Sequence, residues 1–219
     1  MAYAQLGAYL SVRLSHVSKL ANGVLFVKKI SLMAAVTLLS GCAVNPYLQP
    51  MVDGPSAKLR LASVPSNNNF VAVPLSESCI STEFKHGGHI ATLGVKANLV
   101  RSLSRLDMPA YDEKLGDSHQ NEVYIPAQKP FSFQFNGVGI SGFTPGQTDS
   151  GGALYSWCRK IITFTPVENA NYEALYDYIE LPNGKETCGV KLFEIVADEQ
   201  SKYKKVEVDN YQVVENYCK

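Results

Sequence analysis

The five cysteines of this chain include no C-x-x-C spacing, and no glycine-rich loop follows a strand signal. The first absence argues against a zinc site, whose ligands usually come as such close pairs. The second argues against a phosphate-cradling loop. There is no internal repeat and no low-complexity segment, so a solenoid or propeller is excluded. Charge is sparse, at 18% of residues, and balanced at twenty basic against twenty acidic. Acidic residues are missing altogether from positions 1–41, which hold Arg13, Lys19, Lys28 and Lys29. The remaining chain therefore carries sixteen basic against twenty acidic residues, a net charge of −4. A mildly acidic body offers no basic footprint for nucleic acid. Its carboxylates are scattered, and no recognisable Asp/Glu pair argues for glycosidase chemistry. No motif implies a metal or a cofactor.

No uninterrupted apolar run reaches the roughly 20 residues that a bilayer-spanning helix needs. What is present is shorter and differently flanked. In "VKKISLMAAVTLLSGC", residues 27–42, Lys28 and Lys29 precede an apolar stretch over 30–40 that ends in Leu39, Ser40, Gly41 and Cys42. This is the layout of a secretory signal peptide: positive start, short apolar middle, small residues at the end. Its last four residues resemble the lipobox of bacterial lipoproteins. The resemblance implies that the Cys42 thiol accepts a diacylglyceryl group and that Cys42 becomes the mature N-terminus. Two or more acyl chains anchor a protein stably. Ala43, rather than Asp, follows the cysteine, which in lipoproteins of enterobacterial type implies sorting to the outer membrane. Residues 1–26 read as an upstream extension, with translation starting near Val27.

Without Cys42 the cysteines number four: Cys79, Cys158, Cys188 and Cys218. An even number in an oxidising compartment reads as two disulfides. Three pairings are open. Non-interleaved loops favour Cys79 with Cys158 and Cys188 with Cys218.

Residues 42–55 contain three prolines and little pattern, and read as a lipidated cysteine followed by a tether. Residues 56–219 form the body. There, "AKLRLASV" alternates Leu59 and Leu61 against Lys58 and Arg60, and "PFSFQF" alternates Phe131, Phe133 and Phe135 against Ser132 and Gln134. A period of two marks strands. "NYEALYDYI" and "TCGVKLFEIV" follow suit, and "FVAVPL", "HIATLG", "EVYIP", "YSWCRKIITF" and "YKKVEV" are weaker candidates. Asn183-Gly184 is a hairpin signal. Leu99, Leu103 and Leu106 stand at near-helical spacing within a polar stretch, which suggests one short helix or a long loop. Eight or nine short strands predict an all-β, antiparallel β-sandwich or partly open barrel. The order "YIPAQKPFSF", a Cys-bearing strand ending "FTP", and "CGVKLFEI" resembles a group of small proteobacterial lipoproteins with a compact, Cys-containing β-domain. The resemblance covers about half of the mature chain. It implies fold and location, and carries no activity.

"TDSGG" at 148–152 looks like the nucleophile string of trypsin-like proteases. A triad needs a histidine held by a buried aspartate, and His86, His89 and His119 lie too close in sequence to Ser150 and lack that family's Ala-Ala-His-Cys context. Gly, Pro, Asp and Ser dominate the stretch, so Ser150 reads as a loop residue. "HGGH" at 86–89 reads as a turn, because two glycines oppose the helix that would align His86 and His89 on a metal. Tyr172, Tyr176 and Tyr178 read as an inner face rather than a sugar- or peptide-binding groove. Trp157 reads as core, packed on a disulfide. No catalytic residue is assigned. The expected role is a lipid-anchored, non-enzymatic accessory or binding module facing the periplasm from the outer membrane. Its partner would be an envelope protein or cell-wall glycan. The alternatives are a small periplasmic hydrolase without a linear motif, or a secretion-system-type lipoprotein.

The thiol is the group that carries the lipid, so Cys42→Ala should leave an unprocessed precursor that incorporates no fatty-acid analogue during metabolic labelling. Equal label in wild type and variant would refute the assignment.

Overall fold

In the computed structural model the described residues are 45–50, 54–65, 67–83, 85–94, 103–109, 113–143, 153–180, 186–200 and 202–219. Cys42 and Ser150 lie outside them. The strands are β1 (Ser56–Ser63), β2 (Asn68–Val73), β3 (Gly88–Leu93), β4 (Gln120–Pro126), β5 (Phe131–Phe143), β6 (Ala153–Phe164), β7 (Asn171–Glu180), β8 (Glu186–Ala197), β9 (Tyr203–Glu207) and β10 (Gln212–Val214). One sheet runs β4-β1-β7-β8-β9 and the other β10-β6-β5-β2-β3. All pairings are antiparallel except β1 with β7. The fold is a β-sandwich, as the alternation predicted, and neither sheet closes into a barrel. β10 is the strand that the sequence pattern did not announce.

The two sheets meet through the side chains that the period of two placed inward. Phe131, Phe133 and Phe135 on β5 are buried with Phe164 on β6 and Tyr172 and Tyr176 on β7. Their rings pack in sequence: Phe133 against Phe135 at 5.7 Å between centroids, Phe135 against Tyr176 at 5.6 Å, and Phe164 against Tyr172 at 5.0 Å. These separations lie in the favourable range for aromatic pairs. Leu59, Leu61, Val71, Leu93, Ile125, Ile162 and Leu192 fill the spaces between them. Tyr176 fits because Gly137 faces it. A Cβ on Gly137 would lie 2.2 Å from the Tyr176 hydroxyl and 2.7 Å from Oδ1 of Asn69.

The disulfides join Cys79 to Cys218 and Cys158 to Cys188. This corrects the expected pairing of Cys79 with Cys158 and Cys188 with Cys218: the shorter loop nests inside the longer instead of following it. The reason is the sheet itself. Cys158 faces inward from β6 and belongs to the central core, against which Cys188 of β8 also packs, so their bond ties one sheet to the other. Cys79 lies on the segment that crosses the opposite face of β6, where β6 stands between it and the sulfur of Cys158. In the chain-entropy picture the 30-residue separation contributes roughly 3–4 kcal/mol and the 139-residue separation roughly 5 kcal/mol.

Both outer faces are covered. Over β5 and β6 runs a strap, residues 75–83. Ser132 Oγ donates to Glu77 at 2.9 Å, and Arg159 donates to the Ser81 carbonyl at 3.1 Å. Ile80 exchanges backbone hydrogen bonds with Asn216 and Cys218. Ile80 on the strap and the outward-facing Ile161 on β6 are both fully buried and stand apart from the central cluster.

Over the other sheet lies residues 103–109. The spacing of Leu103 and Leu106 suggested a helix here, but the described part is an extended loop. Its backbone spends its hydrogen bonds on β4 instead: Glu122 N–H donates to the Ser104 carbonyl, Ser104 N–H to Asn121 Oδ1, and Leu106 N–H to the Glu122 carboxylate. Beneath this loop Arg60 is completely buried. Register sets Arg60 opposite Glu122 on one side and Glu173 on the other. Its guanidinium donates to Glu122 at 2.8 Å and Glu173 at 3.2 Å, and to the carbonyls of Met108 and Pro109. Lys205 of β9 completes the row on Glu173 at 2.5 Å. Alternation correctly placed Arg60 on the outer face; outer did not mean solvent.

Residues 45–50, within the expected tether, lie on the body. Tyr47 N–H donates to the His89 carbonyl and His89 N–H to that of Asn45, each at 2.7 Å. Gln49 Oε1 accepts from Tyr124 N–H at 2.8 Å, and the Tyr47 hydroxyl donates to the Tyr124 carbonyl. The segment thereby laces the edge of β3 to the edge of β4. Burial raises the Tyr47 phenol well above its ordinary pKa.

Two substitutions test this packing by thermal or chemical unfolding. Gly137→Ala should destabilise by about 1–3 kcal/mol through overpacking against Tyr176; a change within experimental error would mean the two sheets are not apposed there. Arg60→Met should cost about 3–5 kcal/mol, because Glu122 is left buried without the guanidinium and Glu173 keeps only Lys205. Adding Glu122→Gln and Glu173→Gln should recover part of that loss. A single variant as stable as wild type would refute the buried network.

Candidate functional site

Adjacent residues on a strand point to opposite faces. With Cys158 committed to the core, Trp157 and Arg159 must face outward. Trp157 is 64% exposed, which corrects its reading as a core residue. It stands opposite Val138 of β5, and Arg159 stands opposite Asn136. The row continues from Asn136 to Phe70 on β2 and Thr92 on β3. Thus Arg159, Asn136, Phe70 and Thr92 line up across four strands of one rigid face.

Their polar groups are held in place. Gln134 Nε2 donates to Asn136 Oδ1, and Asn136 Nδ2 donates to the Phe70 carbonyl at 3.2 Å. The Arg159 guanidinium lies 5.8 Å from the centroid of the Tyr217 ring, a cation–π distance. Tyr217 is 51% exposed and directly precedes Cys218, whose disulfide fixes it beside the strap. Arg159 therefore has the exposed Tyr217 ring against its guanidinium and the exposed Trp157 two residues before it on the same strand face. Sequence reasoning missed Arg159, Asn136 and Tyr217. The available signal was the adjacency of Trp157 to Cys158, which sets the phase of the strand.

The two histidines of "HGGH" flank this face at its β3 side. Both rings pack on Phe70, His86 at 5.2 Å and His89 at 4.7 Å between centroids. His89 Nε2 is 3.0 Å from Thr92 Oγ1. Burial, and next the nearby His86, lower the His89 pKa below its ordinary value, against a smaller opposing contribution from a backbone hydrogen bond at Ala91. His119 is elsewhere, with Nδ1 3.0 Å from Ser118 Oγ and Nε2 3.2 Å from the Pro65 carbonyl. Among the described residues no three His, Cys, Asp or Glu side chains are placed to hold a metal ion.

A separate cleft of about 280 Å³ opens beside the loop 103–109, lined by Arg105, Asp107, Met108, Asp117 and Glu122. Glu122 in it is already committed to Arg60 and to the loop N–H groups. Arg105 and Asp117 pair with each other at 3.2 Å. These carboxylates hold the loop, and none of the histidines described above lines the cleft. Tyr172 and Tyr176 are core residues, as expected, while the side chain of Tyr178 is outside the described residues. Comparison of the chain with protein-family models, with curated proteins and with solved structures found no match.

Proposed function

We propose that this chain is a lipid-anchored protein of the bacterial cell envelope, attached to the outer membrane through Cys42. Its sandwich acts as a non-enzymatic binding module facing the periplasm. The lipobox-like end of the apolar segment supports the anchor. Two disulfides suit an oxidising compartment. The observation that carries the module reading is the face around Trp157. Large aromatic rings are normally withdrawn from water, and an exposed group of them on a rigid sheet marks a contact surface. Here the backbone beneath is braced by the pairing of β6 with β5 and by the bond from Cys158 to Cys188. Little ordering entropy would be lost on contact. The partner class is an envelope protein or the cell-wall glycan, either of which can stack on indole and phenol rings and accept hydrogen bonds from guanidinium and amide groups.

Trp157→Ala should leave folding stability within about 0.5 kcal/mol, as for other exposed positions. It should weaken partner binding by about 2 kcal/mol or more, roughly 30-fold, as truncation of a tryptophan anchor does. Co-sedimentation with purified cell-wall glycan tests one partner class. Photo-crosslinking from position 159 to envelope proteins in intact cells, with Trp157 and with Ala in its place, tests the other. A variant that retains full binding in whichever assay detects a partner would refute this face as the contact surface.

A further inference from the structure

The chain enters the sandwich at one end of its long axis. β2, β4 and β6 finish at that end, and β3, β5 and β7 begin there, so the loops 74–87, 127–130 and 165–170 gather together. Gln128 N–H donates to the Pro166 carbonyl and joins two of these loops; Ala127 N–H and Asn169 N–H donate to the carbonyls of Pro55 and Ser56, which tie them to the start of β1. Asn45 joins the same end, its Nδ2 donating to the Gly87 carbonyl at 3.2 Å while its own carbonyl accepts from His89.

Three peptide units separate Cys42 from Asn45, a reach of about 11 Å at full extension. A lipidated Cys42 sits at the level of the headgroups, a layer about 5–7 Å thick on each side of the hydrocarbon. A domain with a docked residue so close to its anchor in the chain cannot stand clear of the bilayer. The exposed apolar residues fit this placement. Leu75, 59% exposed, and Val167, 62% exposed, stand in the loops of that end, and Leu48, 83% exposed, lies in the docked N-terminal segment beside it. Aliphatic side chains in loop tips gain by entering the interface rather than water.

On the reading that Cys42 carries lipid, we infer that the sandwich lies end-on against the membrane, with the loops bearing Leu75 and Val167 in the lipid interface and Trp157 held away from it. The docked segment 45–50 is what enforces this orientation. Trp157 is near the other end of the long axis: β6 runs from residue 153 toward the membrane end at residue 164.

The single tryptophan of the chain makes the orientation measurable. The full chain is expressed in a bacterial envelope, extracted in detergent and weighed by intact mass spectrometry. A product without lipid on Cys42 overturns the lipoprotein reading, and this inference with it, before any vesicle is made. Lipidated protein is then placed in phosphatidylethanolamine–phosphatidylglycerol vesicles with brominated acyl chains, which quench indole only on contact. Wild type should keep its emission. Trp157→Phe combined with Leu75→Trp should lose most of it, and so should Trp157→Phe combined with Val167→Trp, which guards against misfolding of either reporter. Inserting about twelve Gly and Ser residues between Val44 and Asn45, ~20 Å of flexible reach, should restore the emission of both reporters. Unquenched reporters at both loops, equal quenching of Trp157, or quenching that survives the insertion would each overturn the end-on placement.

Discussion

The bond between Cys158 and Cys188 fixes the phase of β6, and the division of this molecule into inside and outside follows from it. A strand offers only two faces. Once the sulfur of Cys158 is committed across the core to β8, Ile162 and Phe164 must follow it inward, and Trp157, Arg159 and Ile161 must turn out. The register of β6 on β5 then sets Phe131 and Phe133 into the same interior and Asn136 beside Arg159 on the exterior. A slip of one residue would bury the guanidinium and expose the aromatic core, so pairing errors are heavily penalised. The covalent link thus contributes register specificity beyond its entropic effect on the unfolded chain.

Two sheets of five short strands still leave two outer faces, and the chain treats them differently. Over β5 and β6 the cover is apolar and covalent: Ile80 lies over the sheet, and the strap carrying it is stapled to the C-terminus through Cys79 and Cys218. Over β4, β1 and β7 the cover is electrostatic, a loop whose carbonyls and N–H groups bind the Arg60–Glu122 pair from above. Burying a guanidinium and two carboxylates carries a desolvation penalty of several kcal/mol per ion, offset only because nearly every donor and acceptor is matched. Such a network fixes one arrangement of the loop; an apolar cover would tolerate several.

These covers explain what could be read in the chain and what could not. Alternation correctly placed Phe131, Phe133, Phe135, Tyr172 and Tyr176 inward, because a half-buried strand writes its period directly into the sequence. The same alternation assigned Arg60, Ser132 and Gln134 to the far face, which is correct, yet all three are buried. Cover comes from distant segments: Glu77 is 55 residues from Ser132 and Met108 is 48 residues from Arg60, and no local pattern encodes a contact of that range. The cysteine pairing failed for the same reason, since it depends on which side of a sheet each sulfur emerges. Trp157 was misread although its neighbour Cys158 carried the information. Hydrophobic character argued for the core, and strand geometry overruled it. β10 escaped notice because three residues are too few to show a period.

The two covers also leave unequal surfaces for work. Where the loop 103–109 lies on its sheet, the charged groups are spent on one another. Where the strap meets β6, the Ser81 carbonyl and the Tyr217 ring hold Arg159, and Trp157 stands exposed two residues before it on the same strand face. The strap therefore has two effects at once: it seals Ile161, and its disulfide partner places Tyr217 beside Arg159. Cys218, the residue that follows Tyr217, is bonded to Cys79, and its N–H is bonded to Ile80. Tyr217 is held by the same covalent link that ties down the strap, so its place beside Arg159 is set by the fold rather than created by whatever comes to rest on it.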